Sequence, residues 1–140
     1  MKINVIEEID YWIEQAEKEL NCFNPDGGKE QVRNQMIGLY NQGLLRWYFL
    51  EDKKGIMVYC ITPDFRGDTS VNELFMYIKP EYRGNIRLFK ELVTHLEAVA
   101  ITQNCKSVRI ASNIGYNDAL VLKCLQRFGY STDVVVKHMR

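Results

Sequence analysis

A chain of 140 residues with 46% hydrophobic and 26% charged residues has the make-up of an ordinary globule, and at that length roughly two thirds of the unfolded surface can be buried without a covalent staple. Eighteen basic residues balance eighteen acidic ones, so the clustered positive face that duplex DNA demands is not expected, and nucleic acid is disfavoured as a partner. The start, MKINVIEEIDYWIEQ, carries acid where a signal peptide needs a basic end and an apolar run, and no later stretch reaches membrane-spanning length; the expectation is a cytoplasmic chain forming a single domain over 1–140, with no membrane partner.

In chain order, Ile6, Ile9, Ile13, Ala16 and Leu20 recur at helical spacing with Glu7, Glu8, Glu14 and Lys18 between them, which predicts an amphipathic helix. Asn24, Pro25, Asp26, Gly27 and Gly28 break it, and Val32, Met36 and Leu39 mark a second helix that ends near Gly43. Leu44–Leu50 and Ile56–Ile61 are aromatic and β-branched, and the turn Glu51–Gly55 between them predicts an antiparallel hairpin. A third strand, Val71–Ile78, is closed by Pro80, which cannot donate to a sheet ladder.

The period then changes. Leu88, Leu92, Leu96 and Val99, with Phe89, Val93 and Ala100 beside them, predict a long helix beginning just after Gly84 and Asn85. Lys106–Ala111 reads as a short strand, Asn117–Phe128 as a helix with Leu120, Cys124 and Phe128 on one face, and Asp133–Lys137 as a last strand, while Lys2–Val5 allows a stub before the first helix. An antiparallel half followed by βαβ-like crossovers predicts an α/β fold (α+β, mixed sheet) with about four helices flanking a central sheet. Cys22, Cys60, Cys105 and Cys124 are scattered, with no C-x-x-C pair and only His95 and His138 to complete a ligand set. Free thiols and no metal are expected.

The stretch FMYIKPEYRGNIRLFKELV, Phe75 to Val93, runs from a strand through an Arg-Gly turn into a helix. The first amides of a helix lack intrahelical acceptors and lie at a positive dipole end, so an anion can bind there. Gly84 lets the backbone approach a ligand, and Arg83 and Arg87 add charge. The same layout also suits a plain strand-to-helix turn with one glycine and an exposed arginine, and the residues alone leave both readings open.

PEYRG followed by an amphipathic helix resembles the acetyl-CoA binding motif of the GNAT N-acyltransferases, and NDALVLKCLQRFGY, Asn117 to Tyr130, is similar to that family's second signature. The resemblance covers Val71 to Tyr130, under half the chain. It implies a GNAT-like fold, acetyl-CoA as acyl donor, and an amine acceptor that is a small molecule or a protein amino group. It also implies that the strand before the loop splays from its neighbour and that backbone groups at Met76, Tyr77 and Ile78 pair with the pantetheine arm. Arg83, Gly84, Asn85, Ile86, Arg87 and Leu88 would wrap the pyrophosphate, and Asn117 is a further candidate cofactor contact.

Three positions depart from the family pattern. Its later small residues fall here on Ile86 and Leu88, whose side chains are expected to crowd the turn, and the tyrosine that protonates the leaving thiolate falls on Leu125. Tyr116 is the candidate replacement acid, with Tyr130 as another, and ordinary packing is the alternative for each. An ammonium acceptor with a pKa near 10.4 costs about 4 to 5 kcal/mol to deprotonate at neutral pH, so a base is needed. Glu73 is the candidate, against a reading as a solvated strand-end glutamate, with Asn72 competing for the register. His95 is expected to pack at the border of its helix's stripe, and Trp12, Trp47 and Tyr48 suit either a core or a homodimer. Three functional readings result: an N-acetyltransferase, a weak or inactive GNAT-like module acting through cofactor or protein binding, and an unrelated α/β domain that a different element order would reveal.

Overall fold

The computed structural model describes residues 4–20, 23–84, 86–111, 118–131, 137 and 139. Its elements are α1 (Val5–Leu20), α2 (Gly28–Asn41), β1 (Arg46–Phe49), β2 (Gly55–Pro63), β3 (Thr69–Ile78), α3 (Ile86–Thr102), β4 (Ser107–Arg109) and α4 (Asp118–Arg127). The strands form one sheet in the order β1-β2-β3-β4, antiparallel except for the parallel β3–β4 pair. This is the mixed sheet with four helices that the periodicities predict. The predicted last strand lies, apart from Lys137, outside the described residues, as do Lys2 and Ile3 of the stub. No helix of the described residues is long and apolar enough to cross a membrane.

Both faces of the sheet are covered. On one, Ile9, Trp12, Ile13 and Ala16 of α1 and Met36 of α2 pack on Ile56, Val58, Phe75 and Tyr77. On the other, Leu92, Leu96 and Ala100 of α3 pack on Leu50, Met57, Tyr59, Val71, Met76 and Ile78. Successive residues of β2 therefore enter opposite cores, which explains why the strand is an unbroken apolar run rather than an alternation. Each aliphatic side chain so buried contributes about 1.5 to 3 kcal/mol.

Two expectations need correction, at Ile6 and in the β1–β2 turn. Ile6 faces solvent rather than extending the α1 stripe. Trp12 takes the core alternative: it is fully buried, with its indole N–H donating to Glu8 Oε2 at 3.1 Å. Trp47 and Tyr48 are half-buried against the two cores. In the β1–β2 turn it is Asp52 and Lys53, at φ 56° and 53°, that take the left-handed conformation, and Gly55 already belongs to β2.

One irregularity positions the site. Val58 pairs with Phe75 but Tyr59 pairs with Glu73, so Leu74 is an extra residue in β3, a β-bulge. A bulge inverts the side-chain alternation beyond it. Val71 accordingly packs against α3, whereas Phe75, four positions on, packs against α1.

Candidate active site

The parallel pairing of β3 with β4 runs only through Ser70–Ser107, Val71–Val108 and Asn72–Arg109, while β3 itself continues to Ile78. Beyond Asn72, among the described residues, β3 pairs with β2 alone. The Lys79 N–H donates to the Lys54 carbonyl at 2.9 Å. By the alternation of an antiparallel ladder, the main-chain groups of Phe75 and Tyr77 then face β2, and those of Met76 and Ile78 face the opposite side, on which β4 pairs at residues 70–72. Tyr77 also buries its ring beneath α1, with its hydroxyl donating to the Gln15 carbonyl at 3.3 Å. Of the three residues that the resemblance names for the pantetheine arm, Met76 and Ile78 are thus the two whose backbone faces away from β2.

Glu73 directly follows the last described β3–β4 pair, Asn72–Arg109. It is 7% exposed, and it sits within β3 rather than at its end because the strand begins at Thr69. The reading as a solvated glutamate is therefore overturned. Its Oε2 accepts the N–H of Ala111, just past β4, at 3.4 Å. Burial pushes the carboxyl up to about 8, against a smaller opposing pull from the Ala111 N–H. Asn72 does not compete: its Nδ2 donates to Thr62 Oγ1 at 2.6 Å and Ser70 Oγ at 3.1 Å.

The partner of Glu73 across the ladder is Tyr59, whose hydroxyl lies 3.0 Å from His95 Nε2 on α3. His95 stacks on Tyr48 at 4.2 Å between ring centres, and Tyr48 donates to Glu91 Oε2 at 2.6 Å. Burial pushes the Tyr59 hydroxyl up and the His95 imidazole down, which favours the neutral form of both. The sequence places His95 beside the α3 stripe but carries no sign of this network, because Tyr48 and Tyr59 reach it only through the strand register.

Beyond Ile78 the chain makes a 3-10 turn over Pro80–Tyr82 and enters α3 at Ile86. Among the described residues, and its chain neighbours apart, a Cβ built on Gly84 would meet no atom within 4 Å. Leu88 is partly buried and packs against the core under α3, and Ile86 is exposed. Arg87 is exposed in the first turn of α3, and Lys54 lies over the Tyr82 ring at 5.4 Å. Arg83 is tied down by protein groups, its Nε donating to the Ile78 carbonyl at 2.7 Å and its two terminal nitrogens to the Glu19 carboxylate. Asn85, Tyr116 and Asn117 lie outside the described residues.

Leu125, at the position of the family's acid, is a core residue at 4% exposure. Tyr130 donates its hydroxyl to Glu97 Oε2 at 3.0 Å, and burial first, then that carboxylate, push its pKa up. Glu97 is roughly 16 Å up the helix axis from Ile86 at 1.5 Å per residue. Tyr130→Phe is accordingly expected to cost about 1 kcal/mol of stability with less than about a twofold change in acyl-transfer rate, a change of about 1.4 kcal/mol in barrier being tenfold. Parallel denaturation and rate measurements check this, and a loss of rate at full stability would restore Tyr130 as an acid.

No family model matches the chain, and no curated protein matches it in sequence. Solved structures do match in fold. A GCN5-related N-acetyltransferase from Ralstonia eutropha JMP134 superposes with a TM-score of 0.76 at 10% identity, over 96% of this chain and 94% of that one. A structure from Clostridium acetobutylicum, described as a predicted acetyltransferase with acetyl-CoA, gives 0.70 at 13% identity over 96% and 91%. A Trypanosoma brucei acetyltransferase gives 0.69 at 14% over 99% and 96%. The chain has the fold of the GNAT acetyltransferases. That fold agreement is what the resemblance implies for the described elements.

Proposed function

We propose that this chain is a cytoplasmic, single-domain N-acetyltransferase that moves the acetyl group of acetyl-CoA to an amine, on a small molecule or a protein. The observation that carries this is the buried Glu73 carboxyl, poised at about 8, directly after the last described β3–β4 pair and bonded to the Ala111 N–H. A buried carboxylate tuned to that range is the form a base for an ammonium acceptor takes.

The residues present fit the donor. The main-chain groups of Met76 and the N–H of Ile78 face away from β2, Gly84 leaves its backbone open among the described residues, and the first N–H groups of α3 at Ile86, Arg87 and Leu88 suit a diphosphate. Bound there, acetyl-CoA would supply the thioester carbonyl. Ionised Glu73 takes the ammonium proton, and transfer from a group near 10.4 to one near 8 costs about 3 kcal/mol, with about 1.4 kcal/mol more at neutral pH to ionise the carboxyl first. The Ala111 N–H holds the carboxylate just past β4. Tyr116 remains the proposed acid for the leaving thiolate, with Asn85 and Asn117 as proposed donor contacts. The free thiols Cys60, Cys105 and Cys124 accord with a reducing compartment.

The packing of Leu125 in the core favours one second reading, a GNAT-like module that binds donor without turnover. Calorimetric titration with acetyl-CoA and with CoA, followed by a thiol-release screen over amines, separates the two. A micromolar Kd, about −8 kcal/mol, together with turnover on an amine is expected; saturable binding with no turnover supports a module that acts through the cofactor, and no heat at millimolar ligand removes the enzyme and favours a module that acts through protein contact.

A further inference from the structure

We infer that Arg83 is a positioning residue that shapes the donor-binding turn from within the protein, anchored by Glu19 of α1, and is not a ligand of the diphosphate. This rests on the reading of the β3–α3 turn as the donor site. Each of the three guanidinium nitrogens has a protein partner: Nε donates to the Ile78 carbonyl at 2.7 Å, and the terminal nitrogens donate to the two Glu19 oxygens at 2.5 and 2.9 Å. The guanidinium carbon lies 5.2 Å from the centre of the Tyr77 ring. Such a bidentate, charge-assisted fork is among the stronger polar contacts a protein makes, and this one is only 20% exposed on the arginine side and 27% on the glutamate side.

Geometry gives the contact its purpose. The bond to Ile78 closes a loop from the last residue of β3 to the residue before Gly84, so the side chain sets the path of the backbone that leads into α3. Glu19 stands in the last turn of α1, where the helix dipole disfavours a carboxylate. The Arg83 cation offsets that cost, and releasing it to a phosphate would expose Glu19 to the dipole while opening the turn. Backbone N–H groups, with Arg87 exposed at the start of α3, are left as the anion's hosts.

Glu19→Gln separates the two roles by sign. If Arg83 ligated the diphosphate, Glu19 would compete with it, and the variant would bind CoA more tightly. If Arg83 positions the turn, Glu19→Gln weakens CoA binding by about threefold to tenfold, the span expected of one partly buried ion pair. The donor KM then rises by more than kcat falls, Arg83→Gln acts in the same direction, and the double variant is no worse than Arg83→Gln alone. Amide hydrogen exchange at residues 79–84 in the absence of ligand is expected to quicken in Glu19→Gln. Tighter CoA binding, or exchange unchanged from the wild type, would overturn the assignment. Should the wild type itself bind no CoA, the donor-site reading fails, and exchange still decides whether Glu19 anchors the turn.

Discussion

Glu73→Gln is expected to slow acyl transfer by about 10²- to 10⁴-fold with the fold and donor binding retained, since the amide keeps the shape of the side chain but cannot accept a proton. In the wild type the rate is expected to climb with pH and level off above about 8, where the buried carboxyl becomes fully ionised; the variant's residual rate lacks that step. Stability moves the other way. The folded chain holds the Glu73 proton to about 8, whereas an ordinary glutamate releases it near 4.5, so between those values the native state binds more protons and stability falls as pH rises. The contribution is fully present below about 4.5 and gone by about 8. That interval, at about 1.36 kcal/mol per pH unit, amounts to about 5 kcal/mol. Glu73→Gln removes it, so the variant gains on the wild type between pH 5 and pH 9. Denaturant melts of both at those two pH values test the claim, and a constant difference between them would mean that the carboxyl is solvated after all.

Gly55→Ala is expected to destabilise the protein by about 2 to 3 kcal/mol. A Cβ there would stand 2.6 Å from the Tyr77 carbonyl oxygen, 3.1 Å from the Ile78 Cα and 2.9 Å from Leu50 Cδ1. Leu50 can rotate aside; the two backbone atoms cannot. The first pair of the β2–β3 ladder, Gly55 with Ile78, has to part, and it parts at the end of β3 that feeds the donor-binding turn. Weaker CoA binding is therefore expected alongside the lower unfolding midpoint. A fully stable Gly55→Ala protein would show that the strands are not held this close in solution.

The elements themselves were legible because each carries its own period: Ile9, Ile13 and Ala16 mark α1, Leu92 and Leu96 mark α3, and the apolar runs of β2 and β3 reflect helices on both faces. The strand-to-helix turn around Arg83 and Gly84 was legible for the same local reason. Position in the third dimension was not. A sequence cannot distinguish a glutamate at a wet strand end from one sealed in mid-strand, because burial depends on a strand starting two residues early and on Leu74 bulging out. Nor can it assign Arg83, since Glu19 lies 64 positions away in the chain and no periodicity links them. Local covalent chemistry and spacing therefore determined the helices, the strands and the candidate turn; which side chains meet, and hence the protonation of Glu73, the role of Arg83 and the close approach at Gly55, was decided only by tertiary packing, where contact energies act between residues that the chain keeps far apart.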